Sequence, residues 1–224
     1  MTLFKLEKVS KSYSFGRAEF PALKKISLSI MPGEFIVLSG PSCSGKTTLL
    51  NLLCAAIRPT SGRLSFKDED ISFLTDDRLA ALRRRSLSFI AKAGNLLPAL
   101  TLAENIELAI GLADPAGKAN SQELLAETGL AGLANKRPEE LDLGQQLRGA
   151  LARALAKRPD LVLVDEPSAY LSAAGGQELL RLFQQFNQSR RTAFIISTTD
   201  PLVMAYGQRV IRLYDGRVEA DELC

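Results

Sequence analysis

At 224 residues, with 46% apolar residues and a net charge of +3, the chain is long enough to bury the core of one large α/β domain and too weakly charged to argue for nucleic acid as a partner. Its three cysteines, Cys43, Cys54 and Cys224, are scattered and odd in number and imply no disulfide framework. No apolar run approaches the ~20 residues needed to cross a bilayer, and Met1-Thr2-Leu3-Phe4-Lys5 lacks a signal-peptide core, so a soluble cytoplasmic enzyme domain is expected.

The opening, from Phe4 to Ile30, alternates as strands do, most clearly in Ile26-Ser27-Leu28-Ser29-Ile30, and Pro32-Gly33 marks a turn. Glu34-Phe35-Ile36-Val37-Leu38 then reads as a buried strand, and Thr48-Leu49-Leu50-Asn51-Leu52-Leu53 as an amphipathic helix. Helix formers dominate from Leu100 to about Lys136, interrupted at residues 113–117. Asp142, followed three residues on by Gln145, starts a helix running through Arg153 with a capping box. Leu161-Val162-Leu163-Val164 and Ala193-Phe194-Ile195-Ile196-Ser197 are continuous apolar runs, the pattern of parallel strands covered on both faces. Asp215-Gly216 closes a terminal hairpin.

Between the buried strand and the first helix stands Gly40-Pro41-Ser42-Cys43-Ser44-Gly45-Lys46-Thr47, which has the G-x-x-x-x-G-K-[ST] spacing of a loop that wraps nucleotide phosphates. Glycines let successive N–H groups point inward, and the helix that follows adds the positive end of its dipole. Lys46 is expected to reach the β- and γ-phosphates and Thr47 to offer its hydroxyl to Mg²⁺, with Gly40, Ser42, Cys43, Ser44, Gly45 and Thr48 completing the cradle. The strand Leu161–Val164 ends in Asp165-Glu166-Pro167. Asp165 is placed to hold Mg²⁺, and Glu166 to polarise an attacking water. The ligand expected is ATP or GTP.

These two motifs, with Leu141-Asp142-Leu143-Gly144-Gln145-Gln146-Leu147-Arg148 between them, resemble the nucleotide-binding subunit of an ABC transporter across almost the whole chain. Asn95-Leu96-Leu97-Pro98-Ala99-Leu100-Thr101-Leu102-Ala103-Glu104-Asn105-Ile106, Ala152-Arg153-Ala154-Leu155 and Asp165-Glu166-Pro167-Ser168 look most like the group serving lipoprotein release, macrolide export and FtsE. The resemblance implies a P-loop NTPase (RecA-like) α/β core, residues 1–91 and 155–224, with an N-terminal antiparallel β subdomain and an α-helical insertion over 92–154. It further implies ATP and Mg²⁺ as ligands, and Tyr13 as the aromatic that stacks on adenine. The implied partners are integral membrane permease subunits and a second nucleotide-binding subunit paired head to tail, holding the chain at the cytoplasmic face of the cell membrane. Nucleic acid is not expected, since Arg83-Arg84-Arg85 is its only support and reads as a solvated helix end.

The chain departs from the family pattern at several positions. Cys43 stands where many relatives have glycine, Lys92 where a glutamine is usual, and Ser172 where an aspartate follows Leu171. Thr199 takes the place of the switch histidine, and the chain contains no histidine at all. Asp142 and Leu143 replace the serine and first glycine of the signature. A carboxylate about 4 Å from a phosphate would cost on the order of 4 kcal/mol per unit charge at an effective dielectric near 20, so Asp142 is expected to cap its helix rather than face ATP. Loss of one positioned stabiliser of transition-state charge typically costs about 10²–10³ in rate, so binding is expected to outlast turnover.

Overall fold

The computed structural model describes residues 1–16, 18–113, 119–167 and 171–224. The interruption expected at 113–117 lies, from 114 on, outside them, as does Ser168. In chain order the strands are β1 (Phe4–Phe15), β2 (Ala18–Ile30), β3 (Phe35–Ser39), β4 (Ser61–Phe66), β5 (Glu69–Asp70), β6 (Leu87–Ile90), β7 (Leu161–Asp165), β8 (Ala193–Thr198), β9 (Arg209–Tyr214) and β10 (Arg217–Leu223). The helices are α1 (Lys46–Leu53), α2 (Asp76–Arg85), α3 (Leu102–Ala113), α4 (Ser121–Glu127), α5 (Leu143–Leu155), α6 (Ala173–Arg190) and α7 (Pro201–Met204).

The strands form two sheets. A four-stranded antiparallel sheet has the order β2-β1-β4-β5, and a six-stranded sheet has the order β10-β9-β3-β8-β7-β6. The larger sheet is parallel from β9 to β6, with β10 added antiparallel at its edge through the hairpin read from Asp215-Gly216.

Period-two alternation divides the parallel strands between two cores. Ile36 and Leu38 of β3, Leu161 and Leu163 of β7, and Ala193 and Ile195 of β8 face one way, into a cluster shared with Leu49, Leu50 and Leu53 of α1 and with Phe4, Leu6 and Val9 of β1. Phe35 and Val37, Val162 and Val164, and Phe194 and Ile196 face the other way, against Leu147 and Leu151 of α5 and Phe183 of α6. Phe35, Phe194 and Phe183 stack in sequence, with ring centroids 5.9 and 5.8 Å apart. Burial on both faces is why these strands are uniformly apolar, and each fully buried side chain of this kind contributes about 1.5–3 kcal/mol.

One local expectation gains a tertiary reason. The helix after the phosphate-type loop is amphipathic, as its sequence implies: Leu49, Leu50, Leu52 and Leu53 are buried, whereas Thr47 is exposed and Thr48 and Asn51 are half-buried on the opposite face. It lies between the parallel sheet and the antiparallel one, so its buried leucine face is wide and the strip of Thr47, Thr48 and Asn51 is left partly open.

Candidate functional site

The parallel register brings the carboxyl ends of three strands together. Ser39 at the end of β3 pairs with Thr198 of β8, and Asp165 at the end of β7 pairs with Ser197. The loop 40–45 leaves β3 at this edge and leads into α1. Two of its positions admit only glycine. At Gly40 (φ +151°) a Cβ would lie 2.2 Å from Leu213 O, and at Gly45 (φ +103°) it would lie 2.7 Å from Ala22 O. Both have backbone conformations that L side chains rarely adopt. Cys43 also has a positive φ, +63°, a conformation that glycine adopts without strain.

Gly45 caps α1 without any side-chain hydrogen bond, so the cap residue itself leaves the first-turn N–H groups open. Lys46 is 6% exposed. Its Nζ donates to Gly40 O (2.7 Å) and Pro41 O (2.9 Å) and lies 3.5 Å from Glu166 Oε1. Ser42 and Cys43 are exposed at the tip of the loop. Ser44 is buried, and among the described residues its Oγ is the buried side-chain oxygen left without a hydrogen bond. Such an atom is costly unless something accepts or donates to it.

The acids lie opposite. Thr47 Oγ1 donates to Asp165 Oδ2 at 3.0 Å, and Ser197 Oγ donates to Asp165 Oδ1 at 2.6 Å. Glu166 sits in the left-handed region (φ +49°), held there by its N–H, which donates to Ser197 Oγ (3.0 Å) and Ser197 O (3.2 Å). A non-glycine residue in that conformation costs on the order of 1–2 kcal/mol, and such strain concentrates at functional sites. Tyr13, 43% exposed, approaches Thr48 Oγ1 through its hydroxyl at 3.5 Å. All eleven residues singled out from the sequence thus lie on the phosphate-type loop, at the start of α1, at the end of β7, or on the β1 strand beside α1. Ser197 was missed. Its signal was the polar pair Ser197-Thr198 ending an otherwise apolar parallel strand.

The ABC transporter family pattern matches residues 23–169. The chain belongs to that family. Among curated relatives, the macrolide export ATP-binding/permease protein MacB of Syntrophobacter fumaroxidans is 39% identical over 99% of this chain. The lipoprotein-releasing system ATP-binding protein LolD of Anaeromyxobacter dehalogenans is 40% identical over 96% of it. The chain spans 92% of that LolD but only 32% of that MacB. Among solved structures, a dimeric post-hydrolysis state of the ATP-binding cassette MJ0796, bound to ADP and Pi, superposes with a TM-score of 0.91 at 35% identity, covering 98% of each chain.

Within an ABC transporter ATP-binding domain similar to those of MacB and LolD, the departures fall at informative places. Thr199 Oγ1 donates to Glu166 Oε2 at 3.3 Å, so a hydroxyl meets the acid from the position where the family pattern has a histidine. Asp142 caps α5: its Oδ1 accepts from Gln145 N at 2.8 Å, and Gln145 Oε1 accepts from Asp142 N at 3.1 Å. Ser172 caps α6 by accepting from Gly175 N. Lys92 is exposed in the loop after β6.

Proposed function

We propose that this chain binds Mg-ATP in the loop 40–48 and couples nucleotide occupancy to integral membrane partners at the cytoplasmic face, with slow hydrolysis. The observation that carries the reading is Lys46, buried in the mouth of the loop between Gly40 O, Pro41 O and Glu166. A lysine nearly fully buried there needs compensating negative charge, and phosphate oxygens meet that need better than two carbonyls do. The unpartnered Ser44 Oγ in the same cradle fits a phosphate oxygen.

Thr47, Asp165 and Ser197 present the hard oxygen donors that suit Mg²⁺, which keeps several waters and takes few protein ligands. When bound there, that ion would neutralise charge on the β- and γ-oxygens. Asp165 is held in place by two hydroxyl donors. Glu166 is the one candidate base, yet its Oε1 faces Lys46 and its Oε2 accepts from Thr199. Accepting a proton from water requires that it leave the lysine. Thr199 supplies no imidazole to meet a γ-phosphate, so transition-state charge there lacks one stabiliser, worth about 10²–10³ in rate.

The head-to-tail pair implied by the family resemblance would put each ATP between the loop 40–47 of one subunit and the signature helix α5 of the next, with residues 92–154 as the helical insertion. A homodimer would therefore carry every departure in both of its sites. Titration of ATP into the purified chain and into Lys46→Ala tests binding. The wild type is expected to bind at least tenfold more tightly, and equal, negligible affinity would overturn the reading. Phosphate release with and without Glu166→Gln tests turnover. Brisk release in the wild type, abolished by the substitution, would sink the slow-hydrolysis part alone.

A further inference from the structure

The hairpin of β1 and β2 carries, beside Tyr13, two exposed aromatic side chains that the reading above leaves unused. Along the end of β1, side chains alternate, so Tyr13 and Phe15 share one face and Ser12 and Ser14 the other. Across the hairpin Tyr13 pairs directly with Phe20, Phe15 with Ala18, Ser12 with Pro21 and Ser14 with Glu19. Directly opposed residues project to the same side of a ribbon. One side therefore bears Tyr13, Phe15 and Phe20, and the other bears serine, glutamate and proline. Yet Phe20 is 58% exposed and Phe15 84% exposed, so the apolar side is not the covered side.

Two contacts fix where this face lies. Tyr13 OH is 3.5 Å from Thr48 Oγ1 on α1, and Ala22, two residues beyond Phe20 on β2, packs its carbonyl so closely on Gly45 that a Cβ there would be 2.7 Å away. The uncovered aromatic face thus adjoins the phosphate-type loop at its α1 side. Lys11 Nζ lies 5.5 Å over the Tyr13 ring and covers one of its two faces.

Resting on the ATP-binding reading, we propose that Phe20 is a second base-stacking residue, and that Tyr13 and Phe20 form a two-ring platform for the purine of a nucleotide whose phosphates sit in the loop 40–47. A π-face accepts any purine, and an exposed ring beside a bound base gains the contact area it lacks in the free protein. Tyr13 alone would present one open ring face. With Phe20 the platform widens along β2, toward the strand that touches Gly45.

The test is calorimetric titration of the full chain with ATP and, separately, with inorganic tripolyphosphate, which has no base. Phe20→Ala and Phe20→Leu are each expected to weaken ATP roughly tenfold, within the range that base–aromatic stacking spans, while tripolyphosphate affinity stays within twofold of the wild type. Phe20→Trp is expected to restore or strengthen ATP binding. Because Phe20 is exposed, none of these variants opens a core cavity, and unchanged thermal unfolding checks this. ATP affinity within twofold of the wild type in Phe20→Ala, with Tyr13→Ala weakened, would overturn the platform and leave the phosphate site standing. Equal loss of ATP and tripolyphosphate would also overturn it, since the effect would then lie in the loop. Failure of the wild type to bind ATP better than Lys46→Ala would remove both readings together.

Discussion

At the scale of single residues, the site is built from side chains and backbone conformations that make sense only together. Cys43 occupies a left-handed conformation at an exposed loop tip, where glycine would be unstrained. Relief of that strain and the larger chain entropy of unfolded glycine oppose each other. Cys43→Gly is therefore expected to leave stability unchanged or to raise it by up to about 1 kcal/mol in urea unfolding, and a loss of more than about 1 kcal/mol would contradict the strain argument. The resemblance to relatives pointed to glycine here, but only φ explains why. Thr199 is the converse case: its identity was plain from the chain, while its hydrogen bond to Glu166 depends on how β7 and β8 end side by side.

At the scale of elements, Asp142 shows local code surviving a departure from the family pattern. The Asp142-x-x-Gln145 spacing predicts a capping box, and both of its hydrogen bonds are present at the start of α5. Such caps are worth about 1 kcal/mol, so Asp142→Ala should destabilise the protein by about that amount, whereas Asp142→Ser, which retains a capping oxygen, should stay within a few tenths. Equal stability of all three proteins in chemical denaturation would show that the cap carries no energy. Helix α1, in the other core, combines local and tertiary causes. Its leucines turn away from Thr47, Thr48 and Asn51 as the local pattern implies, while the second sheet lying over it explains why all four of them are buried. The window marks which face is buried, but not which sheet covers it.

Across the whole molecule, Lys157 joins parts far apart in the chain. It follows α5, and its ammonium donates to Arg83 O at the end of α2 and to Leu87 O at the start of β6. Burial pushes this ammonium from an ordinary 10.5 down to about 8, with Arg153 and Arg83 adding repulsion and Cys54 opposing it. The unfolded chain keeps the proton across that window, so unfolding takes up a proton and stability rises as pH climbs from about 8 toward 10.5. Below about 8 both states are charged and the cost of burial is felt in full. Relative to Lys157→Met, the wild type should gain up to about 2 kcal/mol between pH 7.5 and 10, less whatever solvent screening removes from this half-buried group. Paired urea titrations at the two pH values would expose a flat difference, which would mean that the ammonium is not desolvated.

Read alone, the amino-acid order determined the phosphate-type loop, the acids after β7, the apolar parallel strands, the cap of α5 and the closing hairpin, because each is set by spacing within a dozen residues. Tertiary structure decided the rest. Ser197 became a support for Asp165 and Glu166 because β8 lies beside β7 in register, although more than thirty residues separate them in the chain. Phe20 came to share a face with Tyr13 through hairpin pairing, and Ala22 came to press on Gly45 through the packing of two sheets around α1. Alternation and capping act between near neighbours and can be read along a line, whereas register between distant strands is settled only when the whole core closes.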